Sequence, residues 1–327
     1  MTGPTPKKRI EHDPQHTVVT PHRAGTACLL LPTPSHGAPL MIDLTHPLGT
    51  FNPTDGDLTK PDLSSPHGDS IAVPTFGNQA VYEVLPDFPT NQGHFVLGRF
   101  LVYEHHGTHM DSSYHFQNNE ASQEPDPQRK LMHEMTADDL IGPAVVIDIG
   151  SRVQTELDKN GGKPSPDANV TDFSDDSPNV IMAEDIDAIA DQIDNGVWIV
   201  ANLGWSRFFK DANWETTPYF NGWNFPGFNN GAIDRLIEIE DKKGVRINGI
   251  VADNIGVDSG ESSKGIDDKW SNSFHSHVRG LQRGWKFVEN ATNLDQVAMA
   301  NDCTIVVGAP KHVGGGGPSR VLAICSK

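Results

Sequence analysis

Residues 105–116 read His-His-Gly-Thr-His-Met-Asp-Ser-Ser-Tyr-His-Phe, and this stretch constrains the fold more than any other part of the chain. Four side chains able to hold a transition metal, His105, His109, Asp111 and His115, fall within eleven positions. Imidazole and carboxylate donors together suit zinc or manganese better than calcium, which prefers oxygen alone. On an extended strand rising about 3.3 Å per residue, His105 and His109 would stand roughly 13 Å apart, too far for one ion. The chain must therefore double back between them, and Gly107 tolerates the positive φ that such a bend requires. Past the bend, His109, Asp111 and His115 share odd parity, so an extended continuation aims them at one side. Solvated loops are the ordinary setting for histidine, of which the chain has 15. Four donors spaced around a glycine point instead to a metal cradle.

The same residues resemble the signature His-x-Gly-Thr-His-x-Asp-x-Pro-x-His-Phe of the kynurenine formamidase and isatin hydrolase group, the cyclase family. The match holds at His105, Gly107, Thr108, His109, Asp111, His115 and Phe116 and departs at Ser113, where the family usually has proline. That departure loosens the backbone between Asp111 and His115 and removes no ligand. Met41–Leu48 resembles the family's opening strand, Gly142–Ile149 the strand after the metal motif, and Val200–Ser206 and Gly249–Asn254 two later strand-and-turn segments. His277, followed twelve residues later by Glu289, resembles the pair that completes a second metal position in the formamidase branch. The resemblance runs from about residue 41 to about 324. It implies an α/β fold of swivelling β/β/α architecture, with mixed sheets flanked by helices and long loops.

Composition bears on class. A chain of 327 residues can bury a large core. No stretch reaches the 18 or more apolar residues of a membrane span, and Cys28–Pro32 is too short and too far in for a signal peptide core. Cys28, Cys303 and Cys325 are odd in number and lack a Cys-x-x-Cys spacing. They do not read as a disulfide framework, and a cytoplasmic location is expected. A net charge of −18 argues against nucleic acid and anionic membranes as partners. No Gly-x-Ser-x-Gly elbow points to a serine hydrolase.

Residues 1–40 mix Pro, His, Thr and Lys without periodicity and read as a flexible tail or arm, leaving 41–327 as one domain. Residues 49–95 read as long loops, Phe95–Tyr103 as a strand delivering the metal motif, and 151–180 as a surface insertion. Helical patterns occupy Glu184–Ile193, Gly231–Lys243 and His275–Gln282, the last with Gly284 as a left-handed cap. Thr292 or Asn293 is placed to cap a short helix before Val297. Strands are expected at 196–203, 246–252, 285–288 and 304–307. Gly314–Gly317 reads as a flexible turn, since it lacks the lysine and context of a phosphate loop. Between Trp205 and Phe228 lie nine of the chain's 24 aromatic residues. This stretch could form an apolar wall for a flat substrate, with Trp205, Trp223 and Phe225 contributing, or a subunit interface.

The chemistry assembles as follows. A metal held by His105, His109 and Asp111 leaves room for a water, whose pKa falls from 15.7 toward about 7. His115 is the expected general acid/base, with Glu289 assisting. His277 and Glu289 either tune that site or, with His115, hold a second ion across a bridging Asp111. The resemblance implies one or two divalent ions, manganese in the isatin hydrolase pattern and zinc in the formamidase pattern. It also implies hydrolysis of a small neutral aromatic amide or lactone, isatin-like or N-formylkynurenine-like, by a homodimer or homotetramer. His106 and His275 are further candidates near the site. A metal-binding protein without catalysis is the alternative class, against which His115 and Glu289 argue; polyketide cyclisation rests on the family label alone.

Overall fold

The computed structural model describes residues 38–47, 81–84, 98–101, 104–116, 129–211, 218–264 and 273–326. Among these, the strands in chain order are β1 (Leu40–Asp43), β2 (Val81–Val84), β3 (Gly98–Leu101), β4 (His109–Asp111), β5 (Ile141–Asp148), β6 (Trp198–Asn202), β7 (Gly249–Ala252), β8 (Lys286–Glu289), β9 (Asn301–Gly308), β10 (Gly316–Pro318) and β11 (Arg320–Ser326). Nine of them form one mixed sheet in the order β1-β11-β9-β5-β6-β7-β8-β4-β10, and β2 and β3 pair separately. β5 to β8 run parallel, and the strands on either side join antiparallel. The sheet curls. Beyond β1, Leu44 N–H donates to Val321 O at 2.9 Å, and Leu44 O accepts from Thr292 N–H at 3.0 Å. Thr45 then bridges Ala291, just past β8.

Burial follows the connectivity. β6, β7 and β8 are buried at every residue, as expected for parallel strands covered on both faces. β9 and β11 alternate, with Cys303, Ile305 and Val307 facing Val321, Ala323 and Cys325 on the inner side. On that side Trp198, Val200, Val251 and Val288 meet Met110 and Ile42. On the outer side Ile199, Ala201, Ile250 and Phe287 pack under the helices Gly150–Asp158, Ala183–Ile189, Asn230–Lys243 and His275–Gln282. Each fully buried branched side chain contributes roughly 1.5–3 kcal/mol. The helix Asn230–Lys243 starts where Asn229 Oδ1 accepts from Ala232 N–H at 2.8 Å and ends at Gly244, φ 65°.

The mixed α/β expectation agrees with this architecture, and the expected central strands and helices lie within a few residues of those observed. Gly284 has φ 84°. Four expectations need correction. The segment 151–180 opens with the helix Gly150–Asp158 and buries Phe173 and Val180, so it is part of the core. Gly314–Gly317 is no free turn, because β10 pairs with β4. The expected short helix is Leu294–Ala298 with Asn293 (φ 58°) as its N-cap residue, but the Asn293 side chain makes no cap bond and donates instead to Asp43 O at 2.7 Å. Cys303 and Cys325 form a disulfide, since the antiparallel pairing of β9 and β11 brings them together on one face. Disulfides persist in oxidising compartments, so the cysteines no longer argue for the cytoplasm. No helix among the described residues is long and apolar enough to cross a membrane. Residues 49–80 and 85–95, nearly all of the 1–40 segment, and Trp214 lie outside the described residues, while Val81–Val84, within the stretch expected as loops, forms strand β2.

Candidate metal centre

The metal motif folds as its spacing demands. Gly107 turns with φ 61°, bringing His105 back onto the strand that His109 begins. His109 and Asp111 point from β4 to the same side, while Met110 enters the core behind them. His115 does not continue the strand. A turn closed by His115 N–H donating to Ser112 O at 3.0 Å carries it back over the site. Opposite lies β8, in which His109 and Glu289 are register partners. His277 comes from the helix behind β8.

Two donor sets result, His105–His109–Asp111 and Asp111–His277–Glu289, each with its ligand atoms within 4.8 Å of one another. Asp111 belongs to both. Its Oδ1 lies 2.6 Å from His105 Nδ1 and 3.3 Å from His109 Nε2, and its Oδ2 lies 3.5 Å from His277 Nε2 and 3.8 Å from His115 Nε2. Glu289 is divided likewise, Oε2 being 3.4 Å from His109 Nε2 and Oε1 3.0 Å from His277 Nε2. The outer nitrogens are fixed from behind. His109 Nδ1 stands 2.9 Å from Gly107 O, and His277 Nδ1 stands 2.7 Å from Asp258 Oδ2. Each Nδ1 is thus held by an acceptor outside the site, and each Nε2 faces the carboxylates, where a cation that displaced its proton would find the lone pair.

These residues fit a divalent cation. His109 Nε2, Asp111 Oδ2 and Glu289 Oε1 are buried with no hydrogen-bond partner among the described residues. A buried polar atom in that state costs about 1–3 kcal/mol, and here three converge where one or two cations would satisfy them. The nitrogen-and-carboxylate set suits zinc or manganese. Electrostatics agree. Burial opposes the ionisation of Asp111, yet the imidazoles of His105, His115 and His109 hold its carboxyl well below the usual range. Burial also opposes charge on His109 and His277, but the carboxylates around them prevail, raising His109 to about 10 and His277 well above its ordinary value. His115 goes the other way, pushed down to about 4 chiefly by burial.

The aromatic expectations divide. Trp205 and Phe225 are fully buried, Trp205 against Phe173 and Phe208 with Nε1–H donating to Tyr219 O at 2.8 Å. They are core residues and line no open wall, because an irregular loop gives no parity from which to read direction. Trp223 is half-buried and does reach the site side, its ring centroid 6.4 Å from that of Phe274. Phe274 and Phe116 lie 5.6 Å apart and each 5.5 Å from the His277 ring. Phe274 escaped the sequence reading, although it adjoins the helix that carries His277. So did Asp258, Asn290 and Glu104. Asn290 Nδ2 donates to Gly107 O at 3.0 Å, and Glu104 Oε2 accepts from Gly315 N–H at 3.1 Å. Of the lesser candidates, His106 is buried outside both donor sets, and His275 pairs with Asp234 at 3.1 Å.

A curled mixed sheet with a His/Asp/Glu cradle at its antiparallel end defines a class of metal-site protein. The chain belongs to the Cyclase family, whose model matches residues 42–259. No curated protein matches it in sequence. An isatin hydrolase bound to the product analogue thioisatinate shares 19% identity, covering 88% of this chain and 92% of that one at a TM-score of 0.59. Isatin hydrolase A from Ralstonia solanacearum gives the same values. Isatin hydrolase A from Labrenzia aggregata, bound to benzyl benzoate, shares 20% identity, covering 88% and 94% at a TM-score of 0.58. These likenesses show the fold.

Proposed function

We propose that the chain is a metal-dependent hydrolase that cleaves the C–N bond of a small neutral aromatic amide, a cyclic amide such as isatin, or the ester bond of a related lactone. The observation that carries this reading is the division of both carboxylates: Asp111 and Glu289 each give one oxygen to either half of a buried histidine set. His105, His109 and Asp111 would hold one divalent cation, and His277 and Glu289 would extend the cradle toward a second. When bound, such a cation supplies Lewis acidity, polarising a carbonyl oxygen and acidifying water. Asp258 keeps the His277 proton on Nδ1, away from the site. His115, at the edge of the cradle and neutral at pH 7, can take the proton of the attacking water through Nε2. It returns that proton to the leaving nitrogen as the C–N bond breaks, leaving an amine and a carboxylic acid that releases its own proton to solvent. Phe116, Phe274 and Trp223 form an apolar rim suited to a flat ring. The relative bound to thioisatinate supports an aromatic acid as product.

The test is ultraviolet-monitored turnover of isatin and of N-formylkynurenine, on manganese- and zinc-loaded protein with chelated controls. Metal-dependent loss of isatin is the expected result. Loss of N-formylkynurenine alone would move the chain to arylformamidase chemistry. Loss of neither, with metal bound, would remove the aromatic amide from the reading.

A further inference from the structure

Within its own sequence, the turn that carries His115 has one side-chain bond, Tyr114 N–H donating to Ser112 Oγ at 3.2 Å. The Ser112–His115 turn places Ser113 at its second position. Both common turn types put φ near −60° there, and proline is favoured because its ring fixes that torsion. Serine does not. The further restraint comes from a different segment. Arg129 Nε–H donates to Ser113 O at 3.0 Å, and its NH2 group donates to Phe116 O at 2.7 Å and Tyr114 O at 3.4 Å. Lys130 N–H donates to Ser113 Oγ at 2.8 Å. The guanidinium also lies over the Tyr114 ring, 5.5 Å from its centroid. One planar fork thus holds carbonyls on both sides of His115.

We infer that Arg129 is a positioning residue that locks the Ser112–His115 turn and so fixes the His115 ring over the cradle, doing by hydrogen bonding what a proline at position 113 would do covalently. This rests on the proton-handling role proposed for His115. The fork geometry matters more than the charge. Guanidinium offers five N–H donors in a rigid plane, whereas an ammonium is a point charge on a flexible stem. Charge-assisted bonds to three carbonyls suppress small excursions of the turn. Displacing a catalytic group by about 1 Å costs up to about a hundredfold in rate.

The experiment compares Arg129→Gln and Arg129→Lys, each with and without Ser113→Pro, in the full metal-loaded chain. Four quantities are read: amide hydrogen exchange over residues 112–116, kcat and KM on the active substrate, and metal affinity by calorimetry. Arg129→Gln should speed exchange at Tyr114 and His115 by about tenfold. It should lower kcat by about ten- to a hundredfold, with KM and metal affinity within about twofold of the parent. Arg129→Lys should behave like Arg129→Gln. Adding Ser113→Pro should return exchange and kcat to within about threefold of the parent. Parent-like exchange and kcat in Arg129→Gln would overturn the inference, as would a lost metal affinity with unchanged exchange. If Arg129→Gln fails to fold, Arg129→Lys is read against the same criteria. His115→Ala separates the two claims: full turnover there would remove the proton role, while exchange would still report on the lock.

Discussion

His109 and Glu289 stand opposite each other in the register of β4 and β8, with Nε2 3.4 Å from Oε2. Register partners in an antiparallel pair hold their Cβ atoms about 4.5–5.5 Å apart, so strand pairing alone brings these distant residues into one site. Asp111, two residues on, shares the face of His109 and pairs with Phe287. The ring of Phe287 lies 5.2 Å from that of His277 and backs it against the cradle. The site is therefore a property of the sheet, and its precision depends on groups that hold the sheet and turns in place.

His115→Ala tests the proton step. General acid–base catalysis is worth about 10²- to 10⁴-fold, so kcat should fall by that factor. Metal measured by atomic absorption should remain near one ion per chain if His115 handles protons only. A loss of one ion of two would make it a ligand.

Asp258→Asn tests the orientation of His277. An amide placed 2.7 Å from Nδ1 can present its NH2 group, favouring the tautomer with the proton on Nε2 and removing the lone pair from the site. Metal affinity should fall by about 10- to 100-fold, read by competition with a chelator, while the melting temperature of the metal-free protein moves little.

The donors between His105 and His115 were legible because ligation leaves a local spacing, and a glycine where the backbone must turn back. The central strands were legible as short apolar runs, and the helix His275–Gln282 from its periodicity. Asp258 was not, since its partner His277 is nineteen residues away and meets it only once the helix has packed. The disulfide depended on the register of β9 against β11, which cysteine spacing does not encode. Gly314–Gly317 was misread for a similar reason. Glycine there permits close approach to an imidazole, and composition does not distinguish that from flexibility.

Gly316→Ala follows from that contact. A Cβ at this position would lie 2.4 Å from His105 Cε1, so the imidazole must move off Asp111. Metal affinity should drop by about tenfold or more, with β10 still paired. Unchanged affinity in a chelator titration would show that His105 adjusts without loss.

Away from the site, Asp139 accepts from Lys130 Nζ at 2.6 Å and from Arg246 and Lys286 Nζ at 3.1 Å each, and Lys286 is fully buried. Asp139→Asn leaves that ammonium without its carboxylate and should cost about 3–5 kcal/mol in urea unfolding. Lys286→Met leaves Asp139 two cations and should stay within about 1 kcal/mol of the parent. Equal losses in the two variants would refute the asymmetry.

Asp253, just beyond β7, is buried and accepts from the backbone N–H groups of Leu203 at 2.9 Å, Trp205 at 2.8 Å and Ser206 at 3.2 Å. Burial pushes its carboxyl up to about 6, more than these donors pull it down. The unfolded value is about 3.9, so between the two the native state binds more protons. The stability from Asp253 is thus fully present below about pH 4, is lost as pH rises toward 6, and stays lost above. A displacement of this size corresponds to about 3 kcal/mol. Asp253→Asn removes the titration, and one amide oxygen cannot serve three donors, so the variant should be less stable than the parent at pH 4. The parent's advantage, measured by urea unfolding in chelator, should then shrink by about 2 kcal/mol between pH 4 and 7. A constant difference would mean that the three N–H donors hold the carboxylate ionised despite its burial.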